Sequence, residues 1–249
     1  MTEKEIKKFW EDLSYRYQKK HKIPIKSVHY GPGVPDENKL KLLGNVRAKY
    51  VLELGCGGAQ CGIAMAKKGA IVTGIDISKN QLKFAKQLAE KNKVKINLIQ
   101  RSFQDLNKFN SNSYDVVFSA YALHYSPNLS KVFRQVYRVL KKKGLFVFSF
   151  DHPFWSCISP KNFKIKYNYF KTGKIVEKEV WRDGSKHMYV GYFRKVSDLY
   201  NNLKETGFET EKILEPYSGG ETWLVKDSSY PKKLMEMIPT TIIFKARKK

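Results

Sequence analysis

A short apolar run that ends in a glycine-rich turn, then a helix-length segment, then a second apolar run that ends in an acid constrains this chain most. Tyr50 to Leu54 runs into Gly55-Cys56-Gly57-Gly58-Ala59-Gln60, and Ile71 to Ile75 ends on Asp76, 21 positions beyond Gly55. Such a pattern is a strand, a tight turn, a helix and a parallel strand built around a nucleoside. Gly55 and Gly57 let the backbone approach a ligand more closely than a Cβ would permit. Asp76, at the tip of the second strand, can accept hydrogen bonds from two ribose hydroxyls. Further apolar runs near 95–100, 114–119 and 144–150 alternate with helix-period stretches near 59–68, 78–92 and 128–141. Strict alternation of this kind predicts a doubly wound, mostly parallel sheet covered by helices on both faces. With right-handed crossovers, Gly55, Asp76, Ser102, Ala120 and Asp151 share the ligand-binding edge of that sheet.

The turn also discriminates between ligands. A dinucleotide site wants a third glycine and aims its helix at a pyrophosphate, but here that position is Gln60. Glu53 precedes the turn, where its charge opposes a pyrophosphate and favours a cation. A ligand with a sulfonium, an ammonium and no phosphate suits it better, which is a description of S-adenosylmethionine.

Glu53 to Gly57 resembles the E-x-G-x-G motif of class I S-adenosylmethionine-dependent methyltransferases, and Asp76 matches their ribose-binding acid. Phe103 to Leu106 resembles the segment whose acid and next backbone N–H hold adenine, with Ser102 in the acid's place and Phe103 supplying the N–H. Ser113 to Ala120 resembles the family's fourth strand, and Ala122-Leu123-His124 follows it as in many of its small-molecule members. Val136 to Phe150, with Lys143-Gly144 at the turn, resembles the following helix, turn and fifth strand. The resemblance covers residues 45 to 150 and extends more loosely to the last strand. It implies a Rossmann-like α/β fold with a seven-stranded sheet, S-adenosylmethionine as cofactor, and a cofactor site of Glu53, Gly55, Cys56, Gly57, Asp76, Ile77, Gln81, Ser102, Phe103 and Ala120. Tyr30, in the breaker-rich loop 21–35, is a candidate to cover the methionine moiety, or else a loop anchor.

Outside this core, residues 3 to 20 carry Ile6, Phe9, Trp10, Leu13 and Tyr17 at helical spacing. Such a helix can simply pack on the core, but in the resembled family it also lids the cofactor, which implies a helical lid over residues 1–44 and one methyltransferase domain over residues 1–249. Residues 152–193 break the rhythm. Phe163 to Phe170, Ile175 to Trp181 and Met188 to Phe193 have strand character, with turns at 171–174 and Asp183-Gly184. This β-rich insertion follows the fifth strand, so it is the expected substrate cap. Residues 195–206 read as a helix ended by Gly207, and 208–214 and 240–246 as strands, the last antiparallel in the resembled fold.

Methyl transfer is an in-line displacement with a neutral leaving group, so alignment and exclusion of water matter most. An oxygen acceptor also needs a base. His152, directly after the fifth strand, is the first candidate and His124 the second. Tyr121, Tyr125, Trp155 and Tyr192 are candidates for an aromatic wall, joined over an apolar ligand by Tyr169 and Trp181. No metal site is expected, because Cys56 and Cys61 have no ligand partners nearby in sequence.

The formal net charge of +24 raises nucleic acid as a partner. However, 39 of the 47 basic residues are Lys and only eight are Arg, whereas base and phosphate recognition favours the bidentate Arg. The charge is therefore read as mostly generic, and the resemblance to small-molecule methyltransferases implies a small-molecule acceptor. RNA methylation guided by the basic surface and a catalytically silent cofactor-binding module are the alternatives. The absence of a long apolar run argues against a membrane span, Met1 to Gln18 lacks the apolar core of a secretory leader, and three cysteines placed in or near the site fit a reducing cytoplasm.

Overall fold

The computed structural model describes residues 3–180, 184, 186–219 and 230–249. In chain order the elements are helix α1 (Glu3–Lys20), helix α2 (Glu37–Leu40), strand β1 (Tyr50–Leu54), helix α3 (Gln60–Lys67), strand β2 (Ile71–Asp76), helix α4 (Lys79–Lys91), strand β3 (Asn97–Gln100) and strand β4 (Tyr114–Ala120). A 3-10 turn (Leu123–Tyr125), helix α5 (Leu129–Val139), strand β5 (Leu140–Asp151), helix α6 (Pro153–Ser156) and the hairpin strands β6 (Gly173–Val180) and β7 (Lys186–Phe193) follow. Helix α7 (Val196–Thr206), strand β8 (Phe208–Leu214), helix α8 (Lys232–Met235) and strand β9 (Thr241–Lys248) complete the chain.

The main sheet has seven strands in the order β3-β2-β1-β4-β5-β9-β8. The pairings from β3 to β5 are parallel, and β9 runs antiparallel to both β5 and β8. The order reverses beside β1, so the carboxyl ends of β1 and β4 open a crevice between them. Central strands are apolar along their length because helices cover both faces. One face buries Phe133 of α5 against Phe146 and Phe148 of β5, and the other packs Val51, Val116 and Val147 beneath α3. Each fully buried phenylalanine contributes roughly 1.5–3 kcal/mol relative to exposure.

Expected element positions and observed ones agree through the core, down to Ser78 as the N-cap of α4, whose side chain accepts the Gln81 N–H at 3.1 Å. Gly207 ends α7 in the left-handed region, at φ +100°. Three expectations need correction. Strand β5 begins at Leu140, not 144, because Leu140 already pairs with Tyr114. The residues between it and Leu145, including Lys143 at φ +61°, form a register irregularity. Phe163 to Phe170 is not a strand, and only an isolated bridge joins Ile165 to Ile158. Asn162 and Asn168 accept the N–H groups of Lys164 and Phe170 through their side chains, and Phe163 has φ +61°, so local turns replace a ladder there. The expected turn at 171–174 is displaced as well, since β6 already begins at Gly173. Trp181 and Asp183 lie outside the described residues.

Helix α1 is fastened across the open edge of the sheet by its own acid. Glu11 accepts the backbone N–H groups of Lys79 and Asn80 at 2.7 and 3.0 Å, supplying a charged cap to α4 from outside that helix. Ser14 meets Ser78 at 3.1 Å in the same seam. Among the described residues, no helix is long and apolar enough to cross a membrane.

Candidate active site

The end of β1 and the end of β2 are locked together by the turn between them. The Cys56 N–H donates to the Ile75 carbonyl at 2.9 Å, the Gly57 N–H to Asp76 Oδ2 at 2.8 Å, and the Ser78 N–H to Asp76 Oδ1 at 2.9 Å. Gly55 and Gly57 have φ +63° and +51°, and a Cβ on Gly55 would stand 2.3 Å from Ala122 Cβ. Glycine is required at Gly55 on both counts.

These residues wall a cavity of about 240 Å³. Glu53, Gly55, Cys56, Gly57, Asp76, Ile77, Gln81, Phe103 and Ala120 all line it. Both of its carboxylates are buried. Burial raises Glu53 to about 8, an effect that the Gly62 N–H only partly offsets and the Asp76 charge reinforces. Burial raises Asp76 to about 6 against the pull of the Ser78 and Gly57 N–H groups. Glu53 Oε2 is buried beside Gly62 of α3, while the residue lines the cavity. A buried carboxyl in a cavity wall with so few donors around it is a place for a ligand's cationic donor, and Asp76 keeps lone pairs for hydroxyls. A ligand with an ammonium at one end and a ribose at the other fits this donor set, whereas a pyrophosphate would meet two acids.

Helix α1 roofs the cavity. Gln60 Nε2 donates to Gln18 Oε1 at 2.6 Å, and Gln18 Nε2 donates to Gln81 Oε1 at 2.8 Å, a chain of amides that fixes α1 above the glycine turn. Trp10, Tyr17, Gln18 and His21 of this segment face the cavity, as does His29. Apart from the aromatic spacing of Trp10 and Tyr17, nothing in the sequence reading singled these out. The available signal was that Ser14, Gln18 and His21, polar residues, fall at the same 3–4 spacing as Trp10 and Tyr17.

Two residues expected in the cofactor site do not line this cavity. Tyr30 is fully buried against Phe118, with its hydroxyl donating to Glu37. The same carboxylate gathers the N–H groups of Leu42 and Leu43, so Tyr30 is the loop anchor, and its chain neighbours His29 and Gly31 line the cavity instead. Ser102 turns its hydroxyl to Glu3 Oε2 at 2.8 Å, tying down the start of α1, while Phe103 faces the cavity.

A second cavity, of about 360 Å³, adjoins the first. Trp10, Tyr17, His21, Tyr121, Tyr125 and Tyr230 line both. Its remaining wall includes Trp155, Tyr192, Arg194, His124 and Asp151, and one face of the β6–β7 hairpin closes it with Ile175, Glu177, Tyr189 and Gly191. The expected aromatic wall of Tyr121, Tyr125, Trp155 and Tyr192 is thus gathered in one place. Tyr169 is not part of it. It packs on Phe193 and accepts the Val196 N–H at 3.3 Å.

The two candidate bases separate. His152 lines neither cavity. Its Nε2 pairs with Glu215 at 2.7 Å and its Nδ1 accepts the Phe154 N–H at 3.1 Å, which makes it the cap of α6. Proline at the first helical position leaves that cap to the imidazole. His124 does line the second cavity. Burial, with the Arg194 charge beside it, lowers its imidazole to about 3, and Nδ1 has no partner. Among the described residues no His, Cys, Asp and Glu cluster could hold a metal.

The family described as a methyltransferase domain matches residues 52–148. A ubiquinone biosynthesis O-methyltransferase of Vibrio campbellii is 33% identical over 151 residues, 58% of this chain and 61% of that protein. A Geobacillus relative, 34% identical over 135 residues, is matched over 54% of its length, so the chain spans little more than half of these relatives. A solved Listeria monocytogenes protein described as an S-adenosylmethionine-dependent methyltransferase superposes with a TM-score of 0.67. That match has 26% identity and covers 84% of this chain and 94% of that one. Residues 52–148 carry a methyltransferase domain, and its fold is shared with S-adenosylmethionine-dependent methyltransferases. In this methyltransferase domain the matched residues 52–148 run from β1 to β5 and include the glycine turn, Asp76 and the crevice between β1 and β4.

Proposed function

We propose that this chain transfers a methyl group from S-adenosylmethionine to a small-molecule acceptor held in the second cavity. On this proposal residues 1–249 form one methyltransferase domain, in which residues 1–44 are the lid and 152–193 the substrate cap. The observation that carries it is the wall common to both cavities, so that an aromatic-lined cleft lies directly beside the glycine turn, Glu53 and Asp76. When bound, the cofactor supplies an electrophilic methyl group whose departure leaves a neutral thioether. Glu53 holds the ammonium, Asp76 takes the ribose hydroxyls, and Phe103 packs against the base while presenting its backbone N–H. Trp10, Tyr17, Tyr121 and Tyr125 exclude water around the transfer path and hold the acceptor in line. His124 stays neutral at pH 7, so it accepts a hydrogen bond from the acceptor hydroxyl and orients it, and the proton that this oxygen loses on methylation passes on to solvent. The Vibrio relative's O-methyltransferase name supports oxygen as the acceptor atom. The three free cysteines, Cys56, Cys61 and Cys157, support a reducing, cytoplasmic setting.

A base within RNA would have to enter beneath the hairpin, which makes nucleic acid the weaker acceptor. Incubating the protein with methyl-labelled cofactor and separate metabolite and RNA fractions tests this. Label in the metabolite fraction is expected, and label confined to RNA contradicts the proposal.

A further inference from the structure

We propose that the acceptor is a small aromatic carboxylic acid whose carboxylate is held by Arg194. This deepens the proposed function and rests on it. Arg194 lies at the end of β7 and lines the second cavity among rings. Its guanidinium is partly buried, and that burial lowers it to about 10. Two of its N–H groups are used on backbone carbonyls, those of Tyr192 at 3.1 Å and of Ser126. A guanidinium carries five donors, so three remain. Among the described residues no carboxylate pairs with it. Asp198 raises its basicity from a distance but is itself held by the Lys195 N–H at 3.0 Å and Lys195 Nζ at 3.6 Å.

The other charged groups facing this cavity do not supply the missing anion. Glu177 is engaged by Lys166 Nζ at 2.8 Å and the Tyr167 hydroxyl at 2.7 Å. Asp151 accepts from Tyr230 at 3.2 Å. Lys20, His21 and His124 are cationic or neutral. A half-buried guanidinium without a counter-ion is costly, and a planar carboxylate returns that energy through two parallel bonds matched to the guanidinium fork. The surrounding rings select a flat apolar body attached to that carboxylate. Lysine would supply the charge without the fork.

The test uses calorimetry on the full chain saturated with S-adenosylhomocysteine. The probes are 3-hydroxybenzoate, 4-hydroxyphenylacetate and indole-3-acetate, each beside its neutral amide. At least one acid should bind ten or more times tighter than its amide. Arg194→Gln should remove that preference while moving the amide less than twofold, and Arg194→Lys should retain part of it. Equal binding of acids and amides, a preference that survives Arg194→Gln, or no acid binding at 1 mM overturns the assignment. Saturation with S-adenosylhomocysteine is measured first and separately. Its failure would count against the methyltransferase function itself, whereas failure of the acids alone would not.

Discussion

Cofactor binding should expel a proton from Glu53. A carboxyl with a pKa of about 8 is about 90% protonated at pH 7. Pairing with the cofactor's ammonium favours the ionised form, so binding at pH 7 should release about 0.9 proton from this group. Asp76, raised only to about 6, is already about 90% ionised at pH 7 and adds about 0.1. The ionised fraction of Glu53 rises from about 1% at pH 6 to about 50% at pH 8, so affinity should rise on the order of 50-fold across that interval. Calorimetric titration with S-adenosylhomocysteine in buffers of different ionisation enthalpy reads the proton count directly. Glu53→Gln should release less than about 0.2 proton and flatten the pH dependence. It should also bind about 10–100-fold more weakly at pH 8, the worth of a charge-assisted hydrogen bond. The same shift has a stability consequence without ligand. Because the folded pKa lies above the ordinary 4.5, the neutral carboxyl's contribution is complete below pH 4.5 and is lost progressively as pH rises to about 8. The loss totals roughly 5 kcal/mol, and Glu53→Gln should be spared it. Proton release below about 0.2 in the wild-type protein, or equal in both proteins, would refute the role assigned to Glu53.

Other consequences can be measured independently. Gly55→Ala places a Cβ 2.3 Å from Ala122 Cβ at φ +63°, so urea unfolding should show a loss of about 1–3 kcal/mol and calorimetry little cofactor binding. His152→Ala should lower stability by about 1–2 kcal/mol through loss of the α6 cap and the Glu215 pair, with cofactor affinity within about twofold of wild type. A larger loss of affinity would place His152 in the site after all. Replacing residues 174–192 with a short glycine-serine linker should abolish methyl transfer to the acceptor while leaving S-adenosylhomocysteine binding intact, and full turnover in that variant would remove the hairpin from substrate capture.

The central sheet was legible because its signals are local and redundant. Glycine at Gly55 is demanded by a positive φ, an acid is demanded at the tip of β2, and the alternation of apolar runs with helix periods leaves one topology. Much of the candidate site's lining follows from those same positions, since the glycine turn and Asp76 fix where the cavity must lie. Three features were not legible, each for a reason of distance. Tyr30 faces away because Glu37, seven residues later, collects its hydroxyl together with the Leu42 and Leu43 N–H groups, and no periodicity announces such a knot. His152 looks like a base from its place after β5. Its two nitrogens are taken by Glu215 and by the Phe154 N–H, and the first partner is remote in sequence. Gln18, Gln60 and Gln81 come from three different helices, so their amide chain exists only once α1 is laid over the turn. The insertion was legible as β-rich, but its first expected strand dissolved into side-chain-to-backbone turns that hydrophobic alternation does not reveal.

The most direct test of the account is a paired titration of the wild-type protein and Asp76→Ala with S-adenosylhomocysteine and with NAD. The wild type should bind S-adenosylhomocysteine at one site and NAD at least about 100-fold more weakly. Asp76→Ala should lose on the order of 2–4 kcal/mol of that affinity as the ribose hydroxyls lose a buried acceptor. Comparable binding of NAD, or unchanged affinity for S-adenosylhomocysteine in Asp76→Ala, would contradict it.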